Sequence, residues 1–460
     1  MQIMINNDAI KMLRYNTGTD KKAFVEFKQY FDAVIFNATI VAYSGSAIAD
    51  LVSVHKNQYI IDPQTHIMQH DITALMSRSK KTNTFTIKKS VKQYLQQLPN
   101  LVTDIIMGQR RQLSIDEIES VTDELVKKVY IFETEYVNGF VKNKEYDKYL
   151  SYANIGPQPK VVIAPYFMIK KDMESEQLQR YLRLNEVCIE KFIEYQKNSG
   201  KHYPVAAQLV MDKEILRDAG IISKIRSIYD RDGYEYIFIW ISDFSTWEAS
   251  YDEKRNFYEL VKMLNEIGKK PIMSYGGYDS ILLCHNEMKA RLYGTAQSVG
   301  YGEARAITPV GGGLPVNKYY FGPLHKRMRF DEALSILMNS GYFDNTKTNA
   351  THAKDYYDNV CSCKQCKEII DDDIDNFKIY NESVPYLVNA RYGQIKRNRP
   401  TTQANLVAAF HFLYKKVEEW KQLEELSLEE LVSKLIINYQ MYSTPKETDN
   451  IKEWCEIFAK

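Results

Sequence analysis

The sequence predicts an α/β protein: a (β/α)8 TIM-type barrel with a helical insertion, followed by a C-terminal zinc-binding helical subdomain. The first observation is that short β-rich runs alternate with helical patterns over about 300 residues, as parallel strands joined by helical crossovers do. The second is a long helical stretch that interrupts this rhythm early in the chain. The third is a helical tail that follows His411.

The strands are predicted from apolar, β-branched or aromatic runs, and the helices from amphipathic spacing. The candidate strands are Ala33–Ile40, Gln58–Asp62, Lys160–Pro165, Pro204–Val210, Tyr236–Asp243, Pro271–Tyr275 and Arg291–Ser298. The intervening helices are predicted at Ser175–Asn198, Asp212–Asp230 and Asp252–Glu266. Seven or eight such strand–helix units in about 300 residues fit a closed barrel better than an open sheet.

Two regions lie outside the repeating pattern. Residues from about 72 to 152 are rich in Lys, Glu and Gln and predict a helical insertion within a barrel of residues 1–345. Residues 346–460 predict a zinc-binding and helical region, in which Val417–Lys434 is amphipathic.

Composition limits the class of protein. The chain has 460 residues, of which 45% are hydrophobic and 26% charged, with a formal net charge of +1, so any basic surface has to be local. No secretory signal or membrane-length apolar run is found, which predicts no membrane partner. Six cysteines, three of them crowded together, predict a reducing cytoplasm, not a disulfide framework.

The three crowded thiols predict a metal site. Cys361, Cys363 and Cys366 have the spacing C-x-C-x-x-C, which lets thiolates reach one ion from a single turn. Zinc needs four ligands, and His411, on a predicted helix, is the preferred fourth, with His352 as the alternative. Four filled positions predict a structural zinc ion. Three buried free thiols without a metal are the other interpretation.

A barrel followed by Asp358-x-x-Cys361-x-Cys363-x-x-Cys366 and a histidine on a later helix resembles the tRNA-guanine transglycosylase superfamily. That superfamily includes the DNA-guanine transglycosylases, which place 7-deazaguanines in DNA. The resemblance implies exchange of guanine for a 7-deazaguanine base through a carboxylate nucleophile, that is, a pentosyltransferase. His411 lies 45 positions after Cys366, farther than is usual in the family, so the zinc loop carries an insertion.

The barrel follows the family pattern only in part. Asp62 matches an early family aspartate, but the Ser-Gly-Gly that should follow it is replaced by Pro63-Gln64. Gln208 matches a glutamine that reads a purine edge. The stretch Gly294–Gly300 corresponds to the family's nucleophile segment and contains no carboxylate.

Catalytic candidates are therefore sought at the carboxyl ends of strands. Asp62 and Asp243 follow apolar runs, and two carboxylates can share glycosidic bond cleavage as nucleophile and proton carrier. Each can instead be a helix cap or turn residue. The candidates for substrate binding are Gln208, Ser242, Tyr275, Gln297 and Ser298.

Aromatic and basic residues alternate after the glycines 311–313. This pattern suits a surface that stacks bases and contacts phosphates, although a strand with a solvated basic face explains it too. The predicted nucleic-acid contacts are Lys318, Tyr319, Lys326, Arg327 and Arg329.

The leading prediction is base exchange in nucleic acid, with DNA favoured over tRNA as the polymer. The alternative is a catalytically inactive zinc-containing paralogue that binds nucleic acid, and a third hypothesis is an unrelated barrel hydrolase. The sequence leaves open a homodimer or a partner subunit.

Overall fold

A computed structural model describes most of the chain, namely residues 9–15, 20–55, 58–78, 84–140, 158–245, 247–299, 305–307, 318–390 and 393–459. The glycine-rich segment 311–317 and the last part of the predicted insertion lie outside the described residues.

Within these residues, eight parallel strands form a nearly closed barrel. They are β1 Ile10–Tyr15, β2 Ala33–Asn37, β3 Gln58–Asp62, β4 Val162–Ile163, β5 Val205–Asp212, β6 Tyr236–Ser242, β7 Lys270–Met273 and β8 Gly294–Ser298. Their order around the sheet is β3-β2-β1-β8-β7-β6-β5-β4. The two ends meet where the Lys160 N–H donates to the Tyr59 carbonyl at 2.8 Å. The predicted α/β barrel is therefore confirmed.

The strands are apolar on both faces because each face is buried. In β5, Ala206 and Val210 point into the barrel, whereas Val205, Ala207 and Leu209 face the outer helices. Parallel sheets covered on both sides give such continuous apolar runs, which is why most strands could be predicted.

β1 was not predicted, because Lys11 and Arg14 make it look like a polar segment. β2 ends at Asn37, three residues before the predicted end, since a helix begins at Ala38. The segment predicted as one helix from Asp212 to Asp230 is divided in the structure. Strand β5 includes Asp212, a short 3-10 turn follows at Lys213–Arg217, and Asp218 caps the helix Ala219–Tyr229.

Several helices between barrel strands begin at a capping side chain, as at Ser250 and Asp218. The Ser250 hydroxyl accepts the Glu253 N–H while the Glu253 carboxylate accepts the Ser250 N–H, so both free donors at this helix start are satisfied. The helices associated with the barrel are Asp20–Phe27, Ala38–His55, Ser175–Ser199, Ala219–Tyr229, Tyr251–Glu266 and Tyr278–Leu282.

The insertion between β3 and β4 is helical, as predicted, over its described part. It also contains a short antiparallel pair, Met76–Arg78 with Phe85–Ile87. Its helical segments are Ile72–Leu75, Lys89–Leu95, Asn100–Thr103, Asp104–Gln109, Ile115–Ser120, Thr122–Ile131 and Phe132–Tyr136.

The C-terminal region joins the barrel through a continuous apolar core. Trp247 stacks on Tyr439 with ring centroids 5.9 Å apart, and Trp247 also lies against Trp454. The predicted helix Val417–Lys434 is interrupted, because Ser427 caps a new helix. Its helices are Phe330–Asn339, Asn349–Asn359, Lys364–Ile370, Thr402–Glu425, Leu428–Tyr442 and Pro445–Ala459. Two antiparallel pairs complete it, Lys318–Phe321 with Lys326–Arg329 and Ser383–Ala390 with Gly393–Pro400. No helix in the described ranges combines the length and apolarity needed to cross a bilayer.

Candidate metal centre and barrel-mouth site

The metal cluster comprises Cys361, Cys363, Cys366 and His411. Cys361 follows the helix Asn349–Asn359, and Cys363 caps the helix Lys364–Ile370 by accepting the Cys366 N–H at 3.4 Å. His411 comes from the long helix Thr402–Glu425. The four ligand atoms lie within 4.8 Å of one another, so this group can hold a metal ion.

The orientation of His411 is fixed by its second ring nitrogen. Nε2 lies 2.7 Å from the Tyr320 carbonyl oxygen, which can only accept, so Nε2 carries the proton. Nδ1 then presents its lone pair to the thiols, at 3.4 Å from Cys363 Sγ and 3.3 Å from Cys366 Sγ. This backbone contact is the support that ligating histidines usually have.

Aromatic side chains enclose the metal cluster. The Tyr319 ring stacks on His411 with centroids 4.6 Å apart and an interplanar angle of 11°. The hydroxyls of Tyr356 and Tyr380 each lie 3.3 Å from Cys366 Sγ, where they can donate to a thiolate. Cys361, Cys366 and His411 are thus buried, whereas Cys363 is partly exposed, and a thiolate at Cys366 would be stabilised by these hydrogen bonds.

The thiolates of the metal cluster place negative charge inside the protein, and this buried charge requires a cation beside it. Hydrogen bonds from Cys363 and Cys366 lower the pKa of the Cys361 thiol well below its usual value. Burial opposes protonation of His411, but the neighbouring thiolates raise its pKa to about 10. Either a proton or a metal ion has to balance such buried charge.

His352, the alternative fourth ligand, lies elsewhere. Its Nε2 is 3.1 Å from the Asp344 carbonyl oxygen and 3.3 Å from the Asp344 carboxylate. His411 is therefore the histidine that completes the cluster.

A second polar group occupies the barrel mouth, at the carboxyl ends of the strands. This barrel-mouth cluster consists of Arg14, Asp62, His66 and Tyr166, each at most 1% exposed. Asp62 Oδ2 accepts from Arg14 Nη1 at 3.1 Å, and Oδ1 accepts from the Tyr166 hydroxyl at 2.7 Å. The Gln64 N–H also donates to Oδ1 at 3.2 Å.

A chain of hydrogen bonds runs from Asp62 to His66. Burial and the Asp62 charge raise the pKa of Tyr166 well above its usual value, so its hydroxyl keeps its proton and donates it to Asp62. The Tyr166 oxygen then accepts from His66 Nδ1 at 3.1 Å. Burial, with the charges of Arg305 and Lys170, lowers the pKa of His66 to about 3. His66 is therefore neutral, and its Nε2 lone pair has no hydrogen-bond partner among the described residues.

Aromatic rings and guanidinium groups line the same end of the barrel. The Trp240 and Tyr275 centroids are 4.9 Å apart. The Arg14 guanidinium lies 4.2 Å from the Tyr275 centroid, and that of Arg305 lies 5.0 Å from it. Flat apolar faces beside delocalised cations suit a planar ligand that carries hydrogen-bond acceptors.

The predicted substrate-binding residues are distributed over both strand faces. Gln208 shares the inward face of β5 with Ala206 and Val210, and its Nε2 has no described partner. Ser242 Oγ accepts the Ile307 N–H at 3.3 Å. Ser298 is buried on the inward-facing side of β8 with Ala296, whereas alternation places Gln297 on the outer face.

The two predicted catalytic carboxylates are in different environments. Asp243 is exposed in a turn with φ 51°, and its N–H donates to the Arg305 carbonyl at 3.2 Å. Asp62 is buried and paired with Arg14. No hydrogen bond between described residues links the two aspartates.

The predicted nucleic-acid contacts alternate between surface and interior. Lys318 and Arg329 are exposed, and Lys326 is paired with Glu447 at 3.3 Å. Tyr319 is 1% exposed and covers His411, so its ring is not available to stack on a base. Arg327 donates to the carbonyls of Ser298 and Val299 and lies over Phe412, which ties it to the protein interior.

Sequence reasoning missed Arg14, His66, Tyr166 and Arg305. The one available signal was an arginine between apolar residues in Ile10–Tyr15, which indicates a charge that needs a buried partner. No protein-family model matches the chain, and no curated protein is significantly similar to it.

Proposed function

We propose that the chain is a transglycosylase-like enzyme that exchanges guanine for a 7-deazaguanine base in DNA, with tRNA as the second candidate polymer. The observation that carries the proposal is the placement of Asp62. It is a buried carboxylate at the carboxyl end of a barrel strand, next to the Trp240–Tyr275 pair and the guanidinium groups of Arg14 and Arg305. Base recognition and a nucleophile are thus available at one end of the barrel.

In the proposed reaction, an Asp62 oxygen attacks C1′ of the target sugar. The C1′–N9 bond breaks, its electron pair leaves with guanine, and the base takes up a proton. The incoming base then attacks C1′ through its ring nitrogen, releases the Asp62 carboxylate and loses its proton. The Tyr166–His66 pair offers a path for these protons, because neutral His66 has a lone pair on Nε2.

The target base has to leave its stack to reach this position. Enzymes that act on bases commonly flip them out. The Trp240 and Tyr275 rings are only 1% and 3% exposed, so a base would stack on them only after the groups that cover them move. Gln208 Nε2, Ser242 and Ser298 line the inner strand faces and are proposed to bind base edges.

The proposed metal is a structural zinc ion. Thiolates are soft ligands that favour zinc in a tetrahedral site, and three thiolates with one imidazole leave no position for a reactive water. When bound, the ion would connect the helices that carry the cysteines and His411 and would contribute folding energy to this region. Such reduced thiols are compatible with the cytoplasm.

An inactive nucleic-acid-binding paralogue is the second candidate, and one observation favours it. Both Asp62 oxygens already accept hydrogen bonds, from Arg14, Tyr166 and Gln64. A purely structural aspartate would have the same contacts.

Incorporation of labelled base into DNA and tRNA oligonucleotides tests the proposal. We expect Asp62→Ala and Asp62→Asn to lower exchange by roughly 10⁴-fold or more, since a nucleophile is lost. Asp243→Ala serves as the matched control and should keep most of the activity. The wild-type enzyme should also give a covalent adduct with a DNA or tRNA oligonucleotide. Binding of oligonucleotide without exchange or adduct would favour the inactive paralogue.

A further inference from the structure

The antiparallel pair Ser383–Ala390 and Gly393–Pro400, here called the basic hairpin, carries charge of only one sign. Between Ser383 and Pro400 the sequence has four Lys or Arg residues and no Asp or Glu. Three of the cations, Lys396, Arg397 and Arg399, lie on the second strand, and none of them forms an ion pair with a described residue. No residue in the described ranges compensates the charge of this strand by an ion pair.

The hairpin stands away from the protein body. All residues of the second strand except Pro400 are exposed, and so are Val384 and Leu387 on the first strand, the latter at 64%. Eight residues per strand give a ribbon about 26 Å long. A long solvated ribbon with apolar side chains contributes little to a core, so folding alone does not account for it.

The register gives the ribbon two distinct faces. One face carries the opposed pairs Val384–Arg399 and Tyr386–Arg397, and the Arg399 guanidinium lies 5.9 Å from the Tyr386 ring. The other face carries the pairs Leu387–Lys396 and Pro385–Asn398, and also Gln394. Arginine and lysine suit phosphates, and asparagine and glutamine amides suit base edges.

The base of the hairpin is connected to the metal cluster. The Thr401 N–H donates to the Glu382 carbonyl at 2.9 Å, which closes the two ends, and Thr401 caps the helix that carries His411. In sequence, the hairpin lies between Cys366 and His411. A metal ion bound by this cluster would therefore hold both ends of the hairpin in place.

We propose that the basic hairpin binds duplex DNA by lying in the major groove, with its cations on the phosphates. The major groove is about 12 Å wide and admits a two-stranded ribbon, whereas the deep, narrow major groove of an RNA duplex does not. The choice of DNA rests on the proposed function, while the charge and exposure of the hairpin are independent of it.

The test compares two triple variants, each of which removes three positive charges. The first is Lys396→Thr, Arg397→Thr and Arg399→Thr, with threonine chosen because it favours strands. The control is Lys127→Gln, Lys197→Gln and Lys224→Gln, three exposed lysines on helices away from the hairpin. Metal content of one ion per chain shows that each variant is folded around the metal cluster.

Fluorescence anisotropy with a labelled DNA duplex, over a range of salt concentrations, gives the result. We expect the hairpin variant to bind the DNA duplex roughly 10- to 100-fold more weakly than the wild type. When the logarithm of the binding constant is plotted against the logarithm of the salt concentration, the magnitude of the slope should fall by about 2 to 3. The control should match the wild type, and an RNA duplex should show a much smaller loss. Unchanged affinity and slope in the hairpin variant would overturn the inference, as would equal losses on DNA and RNA duplexes.

Two further outcomes separate this inference from the proposed function. If the hairpin variant loses DNA binding but the wild type never exchanges a base, the hairpin assignment stands and the enzyme assignment fails. If the hairpin variant exchanges the base in DNA as well as the wild type does, the hairpin assignment fails and the enzyme assignment stands. Loss of binding to anionic phosphatidylserine vesicles, with DNA binding intact, would assign the hairpin to membranes and overturn the proposal.

Discussion

The metal cluster and the barrel-mouth cluster are both buried polar groups, but they are built differently. In the metal cluster, three of the four ligands lie within six positions of sequence. In the barrel-mouth cluster, Arg14, Asp62 and Tyr166 come from strands β1 and β3 and the segment after β4, and are up to 152 residues apart (166 − 14). Short spacing in the sequence brings the three cysteines of the metal cluster together. The residues of the barrel-mouth cluster meet only when the barrel closes.

The two groups also differ in what they lack. In the metal cluster, two tyrosine hydroxyls already contact Cys366 and a backbone carbonyl already accepts from His411. The remaining requirement is a cation between the four ligand atoms. The barrel mouth keeps buried polar atoms without described partners, among them His66 Nε2 and Gln208 Nε2. Since buried polar groups are nearly always satisfied, unsatisfied ones next to a carboxylate indicate a ligand site. The comparison teaches that the two groups differ in what is unmet: a buried charge at the metal cluster and hydrogen-bonding atoms without described partners at the barrel mouth.

The largest expected effect is loss of the metal. Cys363→Ser should reduce zinc from about one ion per chain to nearly none, and the helices around His411 should lose protection in hydrogen exchange, because metal binding is folding energy here. Metal analysis and hydrogen exchange measure the two effects. Cys188→Ala, at a buried cysteine outside the cluster, is the control and should keep the metal. Full metal content in Cys363→Ser would remove this residue from the ligand set.

The next effect concerns the buried ion pair in the barrel. Asp62→Ala leaves the Arg14 guanidinium buried without its carboxylate, and we expect the free energy of unfolding to fall by about 3–5 kcal/mol. Urea denaturation measures this loss. Asp243→Ala, at an exposed turn, should change stability by no more than about 0.5 kcal/mol. Equal losses of unfolding free energy in Asp62→Ala and Asp243→Ala would contradict the description of Asp62 as buried and paired and of Asp243 as exposed.

A smaller effect is the acid sensitivity of the barrel. The folded pKa of His66, about 3, lies below its unfolded value, so the unfolded chain binds more protons and stability falls as pH drops below about 6.5. Between pH 7 and pH 5 this histidine should account for a loss of about 2 kcal/mol. His66→Gln should remove this share of the pH dependence and leave that of the neighbouring His70, whose pKa burial lowers to about 2. His202→Gln, at an exposed histidine, should leave the profile unchanged. An unaltered profile in His66→Gln would show that His66 is not buried in its neutral form.

The smallest effect belongs to the C-terminal region. Burial disfavours the Glu419 carboxylate, but Lys416 and His325 outweigh it and lower its pKa to about 2. Its stabilising contribution is present above the unfolded pKa near 4.5 and is lost as pH falls toward 2. Between pH 5 and pH 4 the loss should be about 0.7 kcal/mol.

Glu419→Gln should remove this dependence, while Glu425→Gln, at an exposed glutamate on the same helix, should retain it. Thermal unfolding across this pH range provides the measurement. A wild-type slope in Glu419→Gln would assign the acid sensitivity to another group.

Much of the fold could be predicted because barrel strands are buried on both faces. Gln58–Asp62 was predicted with its observed bounds, and Tyr236–Asp243 to within one residue. β1 was missed because Arg14 is a charged residue in a strand, and only its buried partner Asp62 makes that position favourable. The break at Ser427 was missed because a capping serine inside an amphipathic pattern is a weak local signal.

By itself, the sequence determined the alternation of strands and helices and the three cysteine ligands, because both are short-range patterns that local geometry and spacing decide. It also placed His411 ahead of His352, and the tertiary structure settled that choice by bringing Nδ1 to the thiols. Only the tertiary structure decided which polar residues share the barrel mouth and that Tyr319 lies under the metal cluster. It also showed that the basic hairpin projects freely. Such contacts join residues far apart in the chain, and they exist only once the barrel has closed and the helices have packed.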